Sequence, residues 1–338
     1  MGVKFLRLTS GKGKGLFRRG PVPILILFVL LSPISLAGAS LEGPFRVKNQ
    51  FPLFLHLNAP ILEKAAQEDS ISLSFSYSSV FMKKGSSDWL LDLDLESAEF
   101  NFTYKKNLLG WVELGLEIPL LGFSPGFLDQ PLESYHSAFG FPDYGRSRYP
   151  KNEFHYRLVR KGKLLVEGES GKVGLGDLRL TGKKEFSFGE TLLAVKADLE
   201  LPTGDANTGF GNGSLDWGLA VIGERNLGKA IKLTGALGLV LPGDLKARET
   251  ISLQPYYYFG AAAEWGLWKN FEVLGQFLVQ TSPYPETGIS TVDQTGVILI
   301  LGGRYAFGRN SLELSFTEDL NTTGAPDFTF QLGFKHKF

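Results

Sequence analysis

Apolar and polar residues alternate strictly along most of this chain. Ile71, Leu73, Phe75 and Tyr77 alternate with Ser72, Ser74, Ser76 and Ser78, and Val112, Leu114, Leu116 and Ile118 with Glu113, Gly115 and Glu117. The same rhythm runs through Val195, Ala197, Leu199 and Leu201 against Lys196, Asp198 and Glu200, and through Leu312, Leu314 and Phe316 against Glu313 and Ser315. A period of two puts successive side chains on opposite faces of an extended strand, so each segment carries one apolar and one polar face. Two architectures satisfy that pattern. A soluble sandwich turns its apolar faces onto a shared core. A membrane barrel turns them to lipid and lines its lumen with the polar faces.

The first residues decide in favour of export. Lys4, Arg7, Lys12, Lys14, Arg18 and Arg19 form a basic stretch without an acid, followed by the apolar run Ile24 to Leu31 and the small residues Ala37-Gly38-Ala39. This order predicts a cleavable signal peptide over 1–39, Sec-dependent export and a mature chain starting near Ser40. The apolar run is too short to span a bilayer as a helix, and no later run reaches spanning length. Arg18-Arg19 lacks the following apolar pattern of a twin-arginine signal. Losing six cations leaves 29 basic and 35 acidic residues, a balance that argues against nucleic-acid binding. The absence of cysteine excludes a disulfide framework, a thiolate metal site and a lipoprotein anchor.

An exported chain with this alternation is expected to be all-β: a transmembrane, antiparallel, up-and-down β-barrel of the Gram-negative outer membrane. Its strands fall near 70–82, 96–106, 111–118, 175–188, 190–201, 214–226, 229–241, 252–266, 270–281, 293–307, 310–318 and 326–338. That is about twelve, within a range of roughly ten to fourteen, since 154–169 can add a hairpin. Tight turns alternate with longer loops at 119–174, 202–213, 242–251, 282–292 and 319–325, as in this barrel class. Residues 40–69 precede the first strand and are expected to form a periplasmic N-terminal segment; 70–338 form the barrel. Gln331, Gly333, His336 and Phe338 resemble the C-terminal signal read by the barrel assembly machinery, with His336 where an aromatic residue is usual. The 27 phenylalanines, Tyr256 to Tyr258, Trp265 and Trp268 suit an aromatic belt at the membrane interfaces.

Several stretches together resemble a domain-of-unknown-function family of bacterial outer-membrane barrel proteins. They are Asn49-Gln50-Phe51-Pro52-Leu53, Gly115 to Leu120, Gly126 to Asp129 with Glu133, His136, Phe139-Gly140, Pro142 and Gly145-Arg146, Gly174 to Arg179, and Leu201-Pro202-Thr203-Gly204-Asp205. The resemblance covers nearly all of the mature chain and implies a fold and a location, with no assigned substrate or catalytic residues. A looser likeness, through the fold and the Pro-Thr-Gly-Asp segment, is to barrels encoded beside aromatic-degradation pathways.

The polar faces nominate lumen-lining residues: Glu113, Glu117, Asp177, Arg179, Lys196, Asp198, Glu200, Glu264, Glu272 and Arg304. Their mixed sign points away from strong ion selectivity. The long loop 119–153 carries Asp129, Glu133, His136, Arg146 and Arg148. Folded inward, these would form a constriction; folded on itself, the loop would pair its own acids and arginines outside. On a helix Asp129, Glu133 and His136 would share a face, but three such residues among 35 acids do not single out a metal site. Ser134 or Ser137 beside His136 is adjacency in sequence, not triad geometry. No metal, cofactor or enzymatic activity is expected. The expected partners are outer-membrane lipids, the assembly machinery and an unidentified small solute. The leading functional expectation is a passive channel or transporter for small molecules, apolar ones included. A closed structural or assembly barrel is the alternative, and a lipid-acting barrel enzyme comes third.

Overall fold

The computed structural model describes residues 41–140, 145–321 and 323–338; the expected signal peptide and Ser40 lie outside the described residues. Strands β1 (Ser70–Gly85), β2 (Trp89–Leu108) and β3 (Val112–Ser124) lead to a hairpin of β4 (His155–Arg160) and β5 (Lys163–Glu167), then to β6 (Val173–Leu175). There follow β7 (Leu178–Phe188), β8 (Thr191–Leu201), β9 (Asp216–Leu227), β10 (Ile231–Leu241), the short pair β11 (Leu245–Lys246) and β12 (Thr250–Ile251), and β13 (Tyr256–Trp268). The chain finishes with β14 (Phe271–Gln280), β15 (Gly296–Phe307), β16 (Asn310–Asp319) and β17 (Phe328–Lys337). Leaving aside β4, β5, β6, β11 and β12, twelve strands pair antiparallel in chain order, and β1 pairs with β17 from Ser70↔Lys337 to Ser79↔Phe328. The wall is closed. Closure is what lipid demands, because a sheet edge in hydrocarbon finds no hydrogen-bond partner.

The faces are sorted inside out relative to a soluble protein. Leu219, Phe100 and Leu237 on the outer surface are 52%, 59% and 63% exposed, whereas Arg179, Arg304 and Glu264 inside are 2%, 1% and 0% exposed. That apolar outer surface on a closed barrel places the protein in the outer membrane. Trp111, Phe188, Trp268 and Tyr305 ring the outside near the short turns, and Trp217 and Tyr257 near the long loops. The expected belt needs one correction. Tyr257 faces out, but Tyr256 and Tyr258 are buried, because alternation sends its two neighbours inward.

The first three strands run further towards the loop end than alternation suggested. Beyond the wall β2 goes on pairing with β4, from Trp89↔Arg160 to Asp94↔His155. The extra hairpin therefore stands on the rim and adds nothing to the strand count of the wall.

The largest departure concerns residues 41–69. Expected on the periplasmic side, they lie inside the barrel, with Phe45, Phe51, Leu57 and Leu62 fully buried. Glu42 meets Lys335 and Lys337 at the turn end. The chain then climbs past Gln276, which bonds both the N–H and the carbonyl of Phe45 at 2.9 and 3.1 Å. At the loop end it makes the one-turn helix α1 (Pro52–Leu55). Proline fits there because the first helical N–H has no partner to lose. The segment returns through Asn58, Glu63 and Ala65, and Asp69 binds Lys106 (2.8 Å) and the Asn107 N–H (2.6 Å) at the turn end again. Its path is a hairpin with both ends at one mouth. Gly302 and Gly324 admit it: a Cβ at either would collide with Phe45 or Phe54, and Gly324 also has φ +51°.

Candidate functional site

The lumen and its internal hairpin form one polar lattice. Near the turn end Lys183 and Lys105 flank Glu113 at 3.1 and 3.5 Å, and the Glu68 N–H donates to the same carboxylate (2.8 Å). At mid-height Glu63 of the hairpin receives Arg46, Lys105 (2.5 Å) and Lys196 (3.2 Å). On the opposite wall Arg304 joins Glu272, Glu313 (2.8 Å) and the Gly43 carbonyl (2.8 Å), while the Gly43 N–H donates to Glu264 (2.7 Å). Higher up, Lys48 reaches Glu99 (2.7 Å), Arg46 reaches Glu117 (2.8 Å), and Arg179 reaches Glu200 (3.5 Å). Removing one partner of such a buried pair costs about 3–5 kcal/mol. Many pairs acting together fix the hairpin firmly to the wall.

All ten nominated lumen residues are buried inside. Asp177, in the bend between β6 and β7, serves the loop end: it accepts the N–H groups of Gly204 (2.8 Å) and Asn212 (3.0 Å) and so braces loop 202–215. Burial pushes its carboxyl up to about 6.

Above the lattice the chemistry changes. Phe51, Leu53 and Phe54 at the hairpin tip join Trp89, Tyr156, Phe210 and Tyr284 in one buried apolar cluster beneath the long loops. The Phe54 and Tyr284 rings lie 6.1 Å apart and those of Trp89 and Tyr284 6.2 Å. His56 sits in this cap, meeting the Gly209 backbone on one side and having Lys48 nearby. Burial, helped by Lys48, lowers its pKa to about 3.

Of the two courses open to the long loop, its described residues take the outward one, and the inward constriction does not form. Its helix α2 (Asp129–Phe139) is preceded by Phe127 and Leu128, whose N–H groups donate to Glu96 at 2.8 and 2.5 Å. Phe127 stacks on Tyr77 at 5.8 Å. Arg146 pairs with Asp129 and Asp327, donates to Ser79 (3.1 Å) and lies over the Phe81 ring (5.2 Å). Tyr77, Ser79 and Phe81 share the outward parity of Leu73 and Phe75, so this clamp grips the outside of the rim. Glu133 pairs with Lys151 (2.7 Å), and His136 faces Glu318 at 3.9 Å. Ser134 donates to Gln130 in its own helix (2.9 Å). Arg148 is exposed and borders a rim cavity of about 250 Å³ beside Tyr149 and Lys83.

At the C-terminal strand, Gln331 faces in and accepts from Ser76 (2.9 Å). Gly333 lies against Glu313, His336 pairs with Asn310 (2.9 Å), and Phe338 stacks on Tyr104 at 6.2 Å.

Sequence reasoning missed two parts of the site. One is the hairpin itself, for which the only signal was a cluster of charges (Glu42, Arg46, Lys48, Glu63, Lys64, Glu68) in a stretch without alternation. The other is the inward face of β1. Ser72, Ser74 and Ser76 leave a narrow polar cavity of about 40 Å³ between wall and hairpin, shared with Asn101, Thr103 and Gln331. That is room for water but not for an organic solute.

A family model described as "Protein of unknown function (DUF3187)" matches residues 23–338. No curated protein matches the chain in sequence. Among solved structures, the COG4313 outer membrane channel from Pseudomonas putida F1 superposes with a TM-score of 0.53 at 13% identity, covering 81% of this chain and 96% of that one. The NanC porin gives 0.46 at 6% identity over 79% and 100% of the two chains. The Ralstonia pickettii toluene transporter TbuX gives 0.42 at 10% over 91% and 98%. The first of these shares the fold of this chain.

Proposed function

The chain belongs to the DUF3187 family, and we propose that it is a passive outer-membrane channel for small molecules, narrowed by its own N-terminal hairpin. The observation that carries this reading is the bore. Eight strands already enclose a space that wall side chains can fill. This wall has twelve, and it encloses two antiparallel passes of additional chain. A barrel that served only as a structural element of the envelope would not require that width. Below its apolar cap the lumen carries many polar and charged groups of both signs, which suits the passage of hydrated solutes with little preference for anions or cations.

The test is conductance of the intact, folded protein in planar bilayers, with liposome swelling alongside. Discrete conductance steps with weak ion selectivity are expected. Folded, heat-modifiable protein that neither conducts nor supports swelling would sink the channel and favour the closed structural barrel.

A further inference from the structure

The lumen wall is chemically lopsided. The walls made by β3, β7 and β8 and by β13 to β15 present long charged side chains, and those groups grip the hairpin: Lys183, Lys196 and Glu200 on one side, Glu264 and Arg304 on the other. The wall made by β1 presents Ser72, Ser74, Ser76 and Ser78 in succession. These side chains are too short to reach the hairpin, and along three of them runs the polar cavity. It climbs from Lys335 at the turn end to Gln50 and Glu99. Above that level Ser78 and Thr329 bond to each other (2.8 Å), and the buried apolar residues Val80, Met82 and Leu95 begin.

We propose that solute crosses along this serine seam, between β1 and a hairpin that stays in place, and that the gate is the apolar tip at the loop end. The inference rests on the channel reading. On β1 the fixed side of the seam is short and neutral, and the wall residues Glu99, Glu117, Glu313 and Lys335 border it. Its movable side carries Arg46, Lys48 and Gln50, whose long side chains can rotate aside while the hairpin backbone stays bound. Passage therefore releases Arg46 from Glu63 but leaves Lys105 and Lys196 on that carboxylate and the contacts of Arg304 in place. It requires parting the contacts of Phe51 and Phe54 with the loops above.

The seam also sets the class of solute: small polar molecules without net charge. Hydroxyl and amide groups of Ser74, Ser76, Asn101 and Gln331 can exchange hydrogen bonds with a hydroxylated solute as they do with water. The charges bordering the seam are already matched, Lys48 with Glu99 and Arg46 with Glu117, so a small ion gains no free counter-charge for the water it sheds.

Three measurements on the full chain test this. In Ser74→Cys, a neutral thiosulfonate reagent should label the folded protein and cut conductance at least fivefold. Leu237→Cys, on the lipid face, should conduct as before with or without reagent. Failure of Ser74→Cys to label, or labelling without loss of conductance, overturns the route. Phe51→Ser combined with Phe54→Ser should raise the open probability several-fold, and by more than Glu63→Gln does. The reverse ranking would mean that the hairpin moves as a body, and the gate assignment falls. Swelling should be faster with glycerol than with an anion or a cation of similar size; equal or faster entry of the ion overturns the solute class. A wild type that neither conducts nor supports swelling, with a labelled seam, refutes the channel reading, while a conducting wild type with an unlabelled seam refutes only the route.

Discussion

His56 couples the closed state of the tip to protons. Its folded pKa of about 3 lies below the ordinary imidazole value of 6.5 because burial, and then Lys48, disfavour the imidazolium. The groups facing it across a small cavity, Tyr156 and Tyr284, stay neutral in this range. A docked tip therefore holds a neutral imidazole, and an undocked one takes up a proton as the pH falls below about 6.5. Docking stability is fully present above that value and declines towards pH 3, by at most about 1.4 kcal/mol per pH unit. Open probability should rise between pH 7.5 and pH 5, and His56→Asn should flatten that rise. An identical profile in the variant would remove His56 from the gate. At this scale the sequence was legible wherever parity decides direction, as for Arg179 or Glu264. It misled at Tyr256 and Tyr258, where three tyrosines in a row hide the parity that sends only Tyr257 to the membrane.

Between elements, Arg304 ties the wall to the hairpin, serving Glu272 and Glu313 of the wall as well as the Gly43 carbonyl. Arg304→Ala leaves buried carboxylates unmatched and should cost about 3–5 kcal/mol, read as a lower urea midpoint for unfolding in lipid. A cost below about 1 kcal/mol would mean that water replaces the guanidinium freely. The twelve strands could be read from the sequence because each carries its own period-two signature. The hairpin could not, because nothing in residues 41–69 repeats and several of its charges make sense only beside partners far along the chain, as Glu63 does beside Lys105. Loop 119–153 fell between the two. Its acids and arginines were visible, but their outward placement depends on Ser79 and Asp327, which belong to other parts of the chain.

For the whole molecule the decisive property is which face meets hydrocarbon. Leu237 stands near the middle of β10 and points outward, so Leu237→Arg should cost about 2–4 kcal/mol, the penalty for a cation near the bilayer midplane. Unchanged stability in lipid vesicles would contradict the assignment of faces. The path of the hairpin has a further consequence, for assembly. Because its two ends share one mouth, nothing has to be threaded: β1 can zip to β17 first and the cargo of charges can be loaded afterwards, or the other way round. Either order brings Arg46, Lys48 and Glu63 in from water, so none of them ever has to cross the oil.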